Sequence, residues 1–244
     1  MRRTSRVLVT AFAGLALTAP AAAAHAAQAN PWSAYFPAKG VTCTMTSTHG
    51  DGTTETKRET VLVKSAKKVV TRVSGGGRST SMLLPGGKLS STFAFTERSS
   101  DISMRVVVAS TYPSPTKLEH HRPGSGKVTM TATLPAKYAK VAVKHGRTLT
   151  MTGTYRITGV GSRTVTLGDP AATRVDAIGI RTKLRSFTMT NATSIFAKVI
   201  RGEMRGLFAS LGDTEWVARG RGTVQVQSTE ADGTPTTATQ VGCS

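Results

Sequence analysis

The sequence predicts a mainly β protein built on an antiparallel sheet, and three observations carry that prediction. Apolar and polar residues alternate one for one along most of the chain, which is the period of a strand with one dry and one wet face. Glycine-rich turn signals, HGDG, SGGG, LPGGK and RPGSG, separate the alternating runs. A single segment, residues 194–211, takes up the helical period instead. At most one or two helices are therefore expected. Alternation alone does not distinguish an open curved sheet from a two-sheet β-sandwich.

The first element is not part of that sheet. MRRTSR is followed by the apolar VLVTAFAGLALTAPAAAA and by Ala24-His25-Ala26, a small-x-small site. This is the layout of a secretory signal peptide cleaved near Ala26. Residues 1–26 are thus expected to be a leader and residues 27–244 a single β-rich domain, because no Pro- or Ser-rich linker divides the remainder. The expected location is extracellular or at the cell surface.

Strands are expected at 41–47, 58–64, 68–74, 79–84, 90–97, 102–109, 128–134, 148–158, 163–167, 172–180, 184–190 and 222–228. In TLTMTGTYRIT, for example, Leu149, Met151, Gly153, Tyr155 and Ile157 share one face while threonines and Arg156 take the other. Val128, Met130, Ala132 and Leu134 alternate with Thr129, Thr131 and Thr133 in the same way. The run DTEWVARGRGTVQVQSTEADG reads as one strand in which Gly220 and Gly222 leave a face bare and Trp216, on the same parity, covers the apolar interior. In the helical segment, Ile195, Phe196, Val199, Ile200, Met204, Leu207, Phe208 and Leu211 recur at helical spacing. Thr193 or Ser194 is the expected cap, and the apolar face is expected against the dry face of the sheet.

Two cysteines, Cys43 and Cys243, stand near the two ends of the mature chain. In an oxidising compartment they read as one terminal disulfide, with two free thiols as the alternative. They form no recognised metal-ligand spacing, so neither a metal nor a cofactor is expected. The mature chain carries 29 basic residues against 13 acids, a formal net charge of +16. A field of that sign attracts anionic cell-wall polymers or an anionic membrane surface; nucleic acid is not an expected partner.

Two sets of residues together resemble a known group. Tyr35, Phe36, Pro37 and Gly40 resemble the Y-F-P-x-x-x-G opening of a set of exported, largely uncharacterised bacterial proteins. Trp216, Ala218, Gly220, Gly222 and Val224 are similar to their W-x-A-x-G-x-G-x-V motif near the C-terminus, and Val165, Ala171, Ala172 and Val175 to the strand-turn-strand before it. The resemblance implies a curved half-barrel like that of the LolA/LolB-like proteins, whose concave side receives acyl chains. Where that group places a Trp and then a Tyr after the early glycine, this chain has Cys43 and Met45. The implication is that the Cys43 to Cys243 bridge replaces an aromatic lock between the terminal strands.

Three functional readings follow. The first is a secreted, non-catalytic binding protein holding a lipid or other apolar ligand, with Met45, Met130, Met151, Tyr155, Phe196 and Trp216 as candidate ligand-binding residues. Methionines on inward faces suit an adaptable apolar pocket. The second is a cationic surface protein bound to wall polymer or membrane. The third is a hydrolase using Glu119, His120 and His121, assisted by Asp101 or Asp169, in a segment between Pro115 and Pro123. There is no G-x-S-x-G elbow to support acyl transfer. Asn191-Ala192-Thr193 has the form of a glycosylation sequon.

Overall fold

The computed structural model describes residues 29–49, 52–99, 102–229 and 233–244; the expected leader, its cleavage site and Asp101 lie outside the described residues. Among the described residues, twelve strands follow in chain order: β1 Thr42–Thr48, β2 Thr54–Lys64, β3 Lys68–Val73, β4 Arg78–Leu84, β5 Lys88–Ser99, β6 Ile102–Tyr112, β7 Gly124–Thr133, β8 Thr148–Thr166, β9 Arg174–Thr190, β10 Thr214–Ala218, β11 Gly222–Thr229 and β12 Pro235–Cys243. Each pairs antiparallel with its chain neighbour, as alternation with short turns predicts. The first and last also pair with each other, so the sheet is a closed barrel.

Closure corrects the expected half-barrel and also the sandwich alternative. The β1 and β12 ladder runs from Cys43 opposite Cys243 to Thr48 opposite Thr237, with one irregularity between Thr44 and Met45. Cys43 and Cys243 are joined in a disulfide across this ladder, their Cα atoms 4.0 Å apart. β12 escaped the sequence reading because PTTATQVGC has almost no apolar alternation. Its inward residues are Thr236, Ala238 and Gln240, so it contributes a polar wall.

Among the described residues three α-helices exceed the expected one or two: α1 Pro115–Glu119, α2 Ala136–Ala142 and α3 Ser194–Ser210. The first two are too short to display a period. α3 sits where the apolar spacing predicts it, and its cap is Thr193, whose hydroxyl accepts from the Phe196 N–H. Asn191, at φ 65°, fixes the approach to it: its amide gives both hydrogens to the His145 and Thr148 carbonyls, each at 2.7 Å.

The barrel is plugged at both ends. At one end a 3₁₀ turn, Pro31–Tyr35, is capped by the Asn30 side chain and buries Trp32, Tyr35 and Phe36 among Leu118, Ile157 and Ile178. The Trp32 indole N–H donates to the Pro113 carbonyl at 2.7 Å. The tyrosine and phenylalanine of the Y-F-P opening are therefore plug residues. α1 closes the same end by lying directly on β8 at Gly159, where a Cβ would fall 2.1 Å from the Leu118 carbonyl oxygen. At the other end α2 and α3 cover a second core that includes Val106, Met130, Met151, Tyr155 and Phe208.

The 213–233 stretch is a hairpin and not one strand. β10 ends at Ala218, the chain turns through Arg219 to Arg221, and β11 begins at Gly222; Gly220 and Gly222 take φ of 78° and 74°. The glycines supply the left-handed backbone the turn demands. Likewise 148–158 with 163–167, and 172–180 with 184–190, are single long strands, β8 and β9, bent at an irregularity between Gly159 and Ser162. Beyond the bend this hairpin folds over the outside of β10 and β11. There Val165, Leu167 and Ala177 bury Trp216, Ala218 and Val224.

The bridge closes a loop with a sequence separation of 200 residues, for which chain entropy gives on the order of 5 kcal/mol. The Cys43→Ser/Cys243→Ser double variant is expected to lose about 3 to 5 kcal/mol in a urea titration. An unchanged midpoint would show that the β1 and β12 ladder closes the barrel unaided.

Candidate functional site

The terminal strands that close the barrel also build its cavity. β1 turns Cys43, Met45 and Ser47 inward, β12 Thr236 and Ala238, β11 Thr223, Val226 and Ser228, and β2 Lys57, Glu59 and Val61. Val73, Ser79 and Phe93 complete the far wall, and Pro37, following the 3₁₀ plug, meets the deep end. The cavity is open to solvent and offers about 60 Å³ to the centre of a water-sized molecule. Met45, Val61, Phe93, Val226 and Ala238 give it a largely carbon wall.

Polar groups enter this space in a patterned way. On β2, Glu55, Lys57, Glu59 and Val61 share one parity, so alternation delivers a column of charges to the face that also carries a buried valine. Lys57 and Glu55 approach to 3.6 Å, and Glu59 accepts from the Thr71 hydroxyl at 2.7 Å. Burial lowers the Lys57 pKa, partly offset by Glu55. Opposite them stands Glu215 of β10, 2% exposed, accepting a hydrogen bond from the Thr223 hydroxyl. Burial pushes the Glu215 carboxyl well up, and Asp213 and Glu59 push in the same direction. Asp213, two residues before it, is raised by burial to about 7. Among the described residues its Oδ1 is buried without a hydrogen-bond partner, as is the Thr182 hydroxyl. Gln240 is fully buried and donates to the Arg221 and Thr223 carbonyls at 2.9 and 3.0 Å, fixing the β10 to β11 turn beside the cavity.

Of the six ligand-binding candidates, Met45 lines this cavity. Met130 and Met151 face each other across β7 and β8 and are close-packed with Val106 and Phe208. The Tyr155 hydroxyl donates to the Phe208 carbonyl at 2.7 Å, and burial raises its pKa; it holds α3 in place. Phe196 is half-buried against the same core. Trp216 points the other way: its neighbours Glu215 and Val217 face inward, while its indole lies under the Arg163 guanidinium, 3.9 Å away, on the outside of the barrel. The parity argument failed because Gly220 and Gly222 belong to a turn, which breaks the face relation assumed between them and Trp216.

The Glu119, His120 and His121 group sits at the end of α1, exposed on all three side chains. Glu119 accepts from Ser162 at 3.3 Å. Asp169 is elsewhere, held in the β8 to β9 turn by the Thr173 N–H and hydroxyl, which lower its pKa. Among the described residues no group of three His, Cys, Asp or Glu side chains is placed to hold a metal. Glu59, Asp213 and Glu215 were not singled out from the sequence. The signal was present: Glu215 lies between apolar neighbours in TEWVA, and Glu59 shares its parity with Val61.

No family model matches the chain, and no curated protein matches it. Two solved structures are similar to it. One is a candidate exported protein with YmcC-like fold from Bacteroides fragilis, at 8% identity over 85% of this chain and 97% of that one, with a TM-score of 0.42. The other is a candidate lipoprotein from Parabacteroides distasonis, at 10% identity over 86% and 97% of the respective chains, also with a TM-score of 0.42.

The buried acids set a pH dependence. A carboxyl whose pKa is raised in the folded state binds its proton more tightly there than when unfolded. Its contribution is therefore complete below about pH 4, the unfolded value, and is lost as pH rises through about 7 for Asp213. Full expression of that shift amounts to about 4 kcal/mol. The Asp213→Asn chain, never charged at this position, is expected to lose much of the decline in melting temperature between pH 5 and 8. Parallel curves for the two chains would refute a buried, protonated Asp213.

Proposed function

We propose that this chain is an exported, non-catalytic binding protein that holds an apolar or amphiphilic molecule, such as a lipid, in the cavity at its β1 and β12 seam. The observation that carries the reading is the pairing of a carbon-lined wall, from Met45, Val61, Phe93, Val226 and Ala238, with carboxyls from Glu59 and Glu215 facing the same space. Ligand pockets share that composition, a mostly apolar lining with a few placed polar groups. The apolar body of the ligand lies along the methionine and valines. Its polar head meets Glu215, whose raised pKa favours the protonated acid and so suits a neutral hydrogen-bonding group better than an anion.

The export element rests on the leader-like residues 1–26 and on the Cys43 to Cys243 bridge, which an oxidising compartment sustains. Ser47, Ser228 and Thr236 line the end of the cavity farther from the 3₁₀ plug, where β1 and β11 end and β12 begins.

The test is native mass spectrometry of the mature protein, secreted and purified without detergent, with organic extraction of what is bound and Nile red as a fluorescent probe of the emptied cavity. A defined adduct, or saturable Nile red binding displaced by the extract, is expected. Met45→Trp, which fills the space from β1, is expected to reduce either signal at least several-fold while the melting temperature holds. A bare mass together with Nile red binding that Met45→Trp leaves unchanged would overturn the reading.

A further inference from the structure

The helices that cover the second end of the barrel, α2 and α3, carry apolar side chains that the fold does not use. On α3 Phe196, Ala197, Met204 and Phe208 pack down onto the core. On the opposite side Ile195 and Val199 are 74% and 72% exposed. At 100° per residue Gly202 and Gly206 continue that same outward line, and a Cβ added at either would meet nothing within 4 Å. No packing requirement accounts for these two glycines, each of which weakens a helix interior. What they leave is a smooth outward stripe in which the backbone itself lies near the surface.

α2 extends the stripe. Ala139 and Ala142 face the barrel, while Tyr138 and Val141 are 52% and 65% exposed. The end of α2 is tied to the start of α3, because the Thr193 hydroxyl donates to the Val141 carbonyl at 2.7 Å and the Thr193 N–H to the Ala142 carbonyl at 2.9 Å. Val141 and Ile195 therefore stand at one joint between the two helices. Around them the segments 137–144 and 194–210 hold six cations, Lys137, Lys140, Lys144, Lys198, Arg201 and Arg205, against the single acid Glu203. On α3 the three cations fall along one flank of the outward stripe and Glu203 on the other. An apolar stripe edged by long cationic side chains is the arrangement by which a helix lies in the interface of an anionic bilayer, its stems in the acyl boundary and its charges at the headgroups.

We propose that the outward face of α2 and α3 docks on an anionic phospholipid surface, with Tyr138, Val141, Ile195 and Val199 inserted and the six cations at the headgroups. The occupant is a membrane and not a soluble polyanion because the exposed residues at the centre of the patch are apolar, which wall polymer has no means to desolvate. α3 leads directly into β10, so the docked face lies at the end of the barrel opposite the 3₁₀ plug. Docking stands on these surface residues alone and does not require the cavity to hold a ligand.

The experiment is flotation of the oxidised protein with vesicles of phosphatidylglycerol and phosphatidylcholine, against phosphatidylcholine alone, at low and high salt. Wild-type protein is expected to float with the anionic vesicles and to release partly in high salt. Ile195→Glu/Val199→Glu, at sites too exposed to perturb folding, is expected to weaken flotation at least tenfold. Arg156→Gln/Arg185→Gln, which lowers the net charge by the same amount on the outer wall of β8 and β9, is expected to retain most of it. Equal losses in the two variants would reduce the effect to net charge and overturn the proposal, as would full flotation of the Ile195→Glu/Val199→Glu chain. Sedimentation velocity supplies the last arm: a wild-type dimer that the Ile195→Glu/Val199→Glu pair dissociates would assign the face to a second copy instead. Because flotation is read without regard to cavity contents, this proposal and the ligand-binding reading fail separately.

Discussion

Everything else in the molecule depends on the pairing of β1 with β12. An antiparallel sheet of this length that stayed open would present two edges of unpaired N–H and C=O groups, and edges of that kind recruit other chains. Here the two edges satisfy each other from Cys43 to Thr48, and the Cys43 to Cys243 bond pins the first pair of that ladder. The same closure makes the cavity. Met45 and Ser47 on one edge and Thr236 and Ala238 on the other become facing walls only because the edges meet. The disulfide and the candidate site are thus consequences of one constraint.

A barrel of this circumference raises a second constraint. About eight strands enclose an interior that side chains alone can fill, and wider barrels need a plug or hold solvent. This one has twelve among the described residues. The excess is met by a 3₁₀ turn and α1 at one end and by α2 and α3 at the other, and what those elements leave uncovered is the cavity. The plug explains why residues 31–36 are aromatic-rich: Trp32, Tyr35 and Phe36 supply the bulk that a wide barrel mouth requires. Gly159 and Gly153 mark where the plugs press hardest, against the Leu118 carbonyl and the Phe208 ring.

How much of this was legible in the sequence varied with the physics of each element. Strands whose inward faces are apolar, such as β7 and β8, were plain because burial forces alternation, and α3 was plain because its core stripe has the helical period. The disulfide followed from two cysteines and an oxidising compartment. Closure was not legible, since it rests on a backbone ladder between two threonine-rich strands, and hydrogen bonds of the main chain leave no side-chain pattern. The cavity was legible only in part. Met45 was found because a methionine on an inward parity is conspicuous. Glu59 and Glu215 were passed over because charge was assumed to mark the wet face. Trp216 went wrong for a geometric reason, a turn where a continuous strand was read, and the β8 to β9 bend that covers it from outside has no local signature beyond Gly159 and Gly161.

The distribution of charge separates the two proposed surfaces chemically. The mature chain has only 13 acids, yet Glu59 and Glu215 face the cavity and Asp213 lies buried beside them. Carboxyls sequestered in this way cannot offset the cations outside, so the exterior is more positive than the net charge alone indicates. The cavity wall mixes the two signs instead: Lys57, Arg58 and Arg221 line it together with Glu59 and Glu215. The head group of the proposed ligand would thus meet both signs of charge in the cavity, and mostly cations at α2 and α3. The proposed surface attraction and cavity recognition would be separate filters, set by different elements: α2 and α3 for the one, β1, β2, β10, β11 and β12 for the other.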